Sequence, residues 1–125
     1  MTKVYLLVRA GVMYTIPHED VELSIKATKK SKLEVLAQHI DREHPPLITF
    51  TDLENNFTVL SDDDGLMAGE HLYMVKDIDD RVYHIPGTCI FAKLDQTHKI
   101  VPLNDEDLAY LRANVPLRCC AMPEM

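Results

Sequence analysis

The chain has 125 residues, 46% of them apolar, no tryptophan and a formal net charge of −7. A chain of that length forms one domain that buries about two-thirds of its unfolded surface, so folding requires neither a metal nor a disulfide framework. The acidic balance opposes sequence-independent binding to nucleic-acid backbones and favours a basic partner.

The charge is unevenly placed. Residues 1–80 hold eight Lys/Arg against fifteen Asp/Glu, whereas residues 81–125 hold five of each. Three cysteines, with Cys119 beside Cys120 and Cys89 apart, do not make a disulfide framework and point to a reducing setting. No apolar run approaches about 18 residues, and the opening MTKVYLL lacks the layout of a signal peptide. The expectation is a cytoplasmic protein, with a nuclear location as the other option and no membrane partner.

In chain order, residues 3–9 (KVYLLVR) read as a strand, with Val4, Leu6 and Val8 on one face and Tyr5 and Leu7 on the other. Residues 13–16 open a second strand, Pro17 interrupts it, and residues 21–26 (VELSIK) resume it by strict alternation. Ser31 and Glu34 fit a capping box ahead of a helix whose Leu33, Leu36, Ala37 and Ile40 form one apolar stripe. Pro45 and Pro46 end that helix near Asp41 or Arg42.

Residues 47–50 and 57–60 read as strands about a turn, Asp52-Leu53-Glu54-Asn55-Asn56, whose asparagines tolerate positive φ. Acids at 62–64 precede Gly65, and residues 71–75 form another strand. Residues 81–85 and 88–94 then predict a β-hairpin around Pro86-Gly87, and residues 99–103 a further strand. Asn104 caps a short helix carrying Leu108 and Leu111, with acids in its first turn and Pro116 as its stop. The tail from Arg118 onward is expected to fray.

This order of elements is that of an α+β, ubiquitin-like β-grasp domain over residues 1–79, followed by a hairpin-plus-helix extension over residues 80–125. In that fold one helix crosses a mixed sheet and the first strand pairs with the last, here residues 72–75. Residues 48–64 (ITFTDLENNFTVLSDDD) resemble the acidic motif of the Phox-and-Bem heterodimerisation domains, with Asn55-Asn56 standing where Gly-Asp is usual. That resemblance implies front-to-back pairing. The acidic set Asp52, Glu54, Asp62, Asp63 and Asp64 would dock on a first-strand basic residue, Lys3 in preference to Arg9, and on Lys26, Lys29, Lys30 and Lys32 near the helix. Residues 60–75 (LSDDDGLMAGEHLYMV) are also similar to doublecortin-type domains. Members of that family often bind acidic microtubules, which a chain of charge −7 would repel, so that resemblance implies the fold and not the partner.

Both charged sets also read as solvated loops, the commonest role of charge runs. The acids do not follow the spacing of a calcium loop, the six histidines form no zinc-spaced pair with cysteine, and neither glycine-rich phosphate signature is present. No cofactor or metal is therefore expected. The functional expectation is a non-catalytic adaptor or scaffold module that binds another protein, a basic one or a further copy of itself. Two alternatives stand beside it: a thiol-dependent enzyme or regulator using Cys89 or Cys119-Cys120, and a nucleic-acid module using the lysine cluster.

Overall fold

The structure, a computed structural model, describes residues 3–9, 12–40, 48–53, 56–62, 72–76, 82–86 and 88–121. Their elements in chain order are β1 (Val4–Arg9), β2 (Val12–Pro17), α1 (His18–Thr28), α2 (Lys32–Ile40), β3 (Ile48–Asp52), β4 (Phe57–Asp62), β5 (Leu72–Lys76), β6 (Val82–Pro86), β7 (Thr88–Leu94), β8 (Ile100–Val101), α3 (Asp105–Arg118) and β9 (Cys119–Ala121). The class is mixed α+β. The main sheet runs β2-β1-β7-β4-β3 with β8 beside β7, and a second sheet runs β6-β5-β9; every pairing is antiparallel.

Apolar side chains on both faces decide which strands are central. On one face Val4, Leu6, Val8, Phe57, Val59, Cys89 and Phe91 pack with Leu103 and with Leu108 and Leu111 of α3. On the other, Tyr5, Leu7, Leu60, Ile90 and Ala92 pack with Val21 of α1 and with Val35, Leu36 and Ile40 of α2. Strands β1, β7 and β4 therefore lie between two layers, which matches their nearly continuous apolar sequences. Lys93 helps to hold α3 in place: its Nζ lies 3.2 Å from Asp107 Oδ1 and 5.7 Å from the centre of the Phe57 ring, which stacks on Tyr110.

Several sequence expectations hold. Helix α2 begins with Ser31 Oγ accepting the Glu34 N–H at 3.2 Å; of the expected stripe it buries Leu36, Ala37 and Ile40, while Leu33 is half-buried and Val35 is buried in addition. Asn56 has φ 64° at the β3–β4 turn, which the Leu53 N–H to Phe57 carbonyl bond closes at 2.8 Å. Asn104 caps α3 reciprocally, its Oδ1 accepting from the Asp107 N–H while Asp107 Oδ2 accepts from the Asn104 N–H.

Other expectations are corrected. Residues 21–26 are helical, because Val21 and Ile25, four apart, face the sheet while Leu23 points outward at 59% exposure. Pro17 is the N-cap of that helix, with Glu19 and Asp20 in the first turn and Lys26 in the last, as the helix dipole favours. Residues 82–86 and 88–94 do not form a hairpin with each other: β6 pairs with β5, whereas β7 enters the main sheet. The segment placed in an extension thus supplies the central strand, since a strand apolar on both faces needs cover on both.

The first strand pairs with β2 and β7, and residues 72–76 pair with β6 and β9. This differs from the pairing that the ubiquitin-like resemblance implies. Pro116 does not end α3, which runs on to Arg118; proline's fixed φ is itself helical and removes a single bond in the last turn. Residues 119–121, expected to fray, form β9.

Replacing Phe91, fully buried in the central strand, should therefore be costly. In urea denaturation Phe91→Ala is expected to lose about 3–5 kcal/mol, while Leu23→Ala on the exposed face of α1 should stay within about 0.5 kcal/mol of wild type. Equal losses would contradict the placement of β7.

Candidate interaction surface

The charged residues singled out in the sequence do not converge on one patch. Asp52 and Asp62 lie at opposite ends of the β3–β4 hairpin, where Asp52 is opposite Thr58 and Asp62 opposite Ile48. Four residues of strand separate them, about 14 Å. Asp52 is exposed, and its Oδ1 accepts from the hydroxyl of the buried Thr58 at 3.1 Å. Asp62 is half-buried. Glu54, Asp63 and Asp64 lie outside the described residues.

The lysines divide likewise. Lys3 is exposed at the start of β1, where its carbonyl accepts the His18 N–H at 2.9 Å. Lys26 and Lys29 are exposed and Lys30 is half-buried at the other end of α1, about 16 Å away for an eleven-residue helix. Lys29 takes φ 57° as the C-cap, its N–H bonded to the Ile25 carbonyl at 2.8 Å. Lys32 is turned inward. Its Nζ donates to the Ile100 carbonyl at 3.1 Å and lies 3.8 Å from Glu22 Oε1.

Glu22 links Lys32 to a polar chain that sequence reasoning missed. The Tyr5 hydroxyl lies 2.9 Å from His18 Nδ1, and His18 Nε2 lies 3.4 Å from Glu22 Oε1. A carboxylate only accepts, so the His18 nitrogen facing Glu22 is the one that carries a hydrogen toward it, and the other meets the Tyr5 hydroxyl, which can donate or accept. Burial, reinforced by the Glu22 charge, holds the Tyr5 phenol far above the ordinary tyrosine value and keeps it neutral. Tyr5 has no exposed surface, so this chain fastens α1 and α2 to the sheet and offers a ligand no access to the phenol. Arg9 does similar work at the far end of α2, donating to the His39 carbonyl.

Among the described residues, the exposed large apolar side chains are Val12, Tyr14, Leu23 and Phe50. Three of the four sit on edge strands, Val12 and Tyr14 on β2 and Phe50 on β3. Phe50 and Asp52, two apart, share one face of β3. Cys89, by contrast, is enclosed among the apolar residues beneath α3, where the residue is 2% exposed. Asp95 organises the β7–β8 turn: bonds from the Lys99 N–H and the Thr97 hydroxyl hold its carboxyl below the usual range.

Among the described residues, no group of three or more His, Cys, Asp or Glu could hold a metal ion, and no helix is long and apolar enough to cross a membrane. Compared with protein-family models, curated proteins and solved structures, the chain matches none.

The Tyr5 phenol gives a pH prediction of definite sign. Its folded pKa lies above the unfolded one, so its contribution is complete below the unfolded value of about 10 and is lost as pH rises beyond it. Denaturation at stepped alkaline pH should show wild type losing stability more steeply than Tyr5→Phe. At neutral pH that variant should be weaker by about 0.5–1.5 kcal/mol, the worth of one hydrogen bond. Parallel alkaline limbs would count against a buried neutral phenol.

Proposed function

We propose that the protein is a non-catalytic interaction module whose β3 edge binds a basic protein partner. The observation that carries this reading is the pairing of Phe50, 42% exposed on an edge strand, with exposed Asp52 on the same face. An exposed aromatic beside a carboxylate suits a partner strand that offers an apolar pocket and a Lys or Arg. The net charge of −7 adds long-range attraction toward such a partner. Ubiquitin-like ancestry is not required for this role, since an aromatic and an acid on any antiparallel edge would serve it. The thiol alternative gains nothing from Cys89, whose burial keeps reagents out.

Affinity purification from source-cell extract, with bound proteins quantified by mass spectrometry, tests the proposal. Phe50→Thr should reduce recovery of the partner about tenfold or more, the scale of a central aromatic anchor. Asp52→Asn keeps an acceptor for Thr58 while removing the charge; it should weaken capture less and make what remains less sensitive to salt. Identical protein sets retained by wild type and both variants would overturn the proposal.

A further inference from the structure

The opposite edge of the main sheet carries a different and self-complementary pattern. Among the described residues β2 pairs with β1 alone, in a register running from Val4 opposite Pro17 to Arg9 opposite Val12. The His18 N–H to Lys3 carbonyl bond continues that ladder and fixes its phase. Residues 12, 14, 16 and 18 therefore direct their backbone groups toward β1, and Met13 and Thr15 direct theirs away from it. Pro17, which has no N–H to lose, falls in the outward set.

Ahead of Pro17 the edge lacks the usual safeguards against pairing. Residues 12–16 (VMYTI) contain no charge and no proline, and Val12 and Tyr14 are 50% and 49% exposed.

We infer that β2 is the seam of a two-fold dimer in which the β2 strand of a second copy pairs with it antiparallel, Tyr14 opposite Tyr14. In that register Met13 of each chain faces Thr15 of the other. The outward N–H and C=O groups of both residues are then all consumed in four hydrogen bonds. Val12 meets Ile16 on the face that also holds Tyr14, so apolar groups oppose apolar groups.

Charge favours this edge over β3 for self-pairing. A β3–β3 seam would set Asp52 of one copy opposite Ile48 of the other, with that copy's Asp62 one strand further in, so both ends of the seam would carry acid and no base. Across a β2 seam, the end of the β1–β2 hairpin, with Arg9 on the inner strand, lies toward the end where α1 begins with exposed Glu19 and Asp20, partly offset by Lys3.

Light scattering coupled to size exclusion, at protein concentrations up to about 1 mM, supplies the test. Wild type should move toward twice the 14.3 kDa of one chain as concentration rises. Val12→Lys and Tyr14→Lys should remain at one chain's mass with unchanged circular dichroism, and Phe50→Lys should still dimerise. Under mild oxidation Tyr14→Cys should give a disulfide-linked dimer beyond the wild-type background, while Leu23→Cys, similarly exposed on α1, should not. A wild type that stays monomeric throughout overturns the seam, as does dimerisation that survives both β2 lysines or is lost with Phe50→Lys alone. A monomeric wild type would leave the basic-partner role of β3 standing, because the two surfaces lie on opposite edges.

Discussion

The fold depends on one constraint: β7 lies between β1 and β4 and must be covered on both faces. Ile90, Phe91 and Ala92 have no exposed surface, and neither do Leu6 and Tyr5 on β1 or Val59 and Leu60 on β4. Each of these residues faces one of two layers, α3 on one side and the α1–α2 pair on the other. Burial of apolar surface is the main favourable term in folding. Strand β7 also joins the β1–β2 hairpin to the β3–β4 hairpin, which are otherwise distant in sequence. Removing it would divide the sheet into two hairpins, and an isolated hairpin is marginal in water.

Local signals in the sequence were legible where a few neighbouring residues decide the structure. Ser31 with Glu34, Asn56 in its positive-φ turn and Asn104 with Asp107 each act within about four residues, and each is where the pattern placed it. Residues 21–26 show where period alone misleads. Val21 and Ile25 satisfy a helix at four apart and a strand at twice two, and only the exposure of Leu23 separates them. The acids of the first turn and the proline before them were the available clue, since both are helix-start signals. Strand partners were the least legible feature. The apolar run of residues 89–92 announces burial on both faces, but nothing local says that β1 and β4 are the neighbours rather than β6.

The candidate surfaces show the same division. Phe50 and Asp52 share a face by simple alternation, so their juxtaposition could be read from the sequence once β3 was assigned. The Tyr5–His18–Glu22–Lys32 chain could not, because it joins β1, α1 and α2 and required residues 18–28 to be helical. The same reassignment separates Lys3 from the lysines near α2 by the length of a helix. It also draws Lys32 into the interior network, which leaves Lys26, Lys29 and Lys30 as the group about the α1–α2 turn.

Cross-strand nuclear Overhauser effects in the labelled protein test the central placement most directly. The account predicts contacts that pair Leu6 with Phe91 and Val8 with Cys89 on one side of β7, and Val59 with Phe91 on the other, all in antiparallel sense. Contacts joining residues 4–8 to residues 72–76 instead, with 88–94 paired to 82–86, would contradict it.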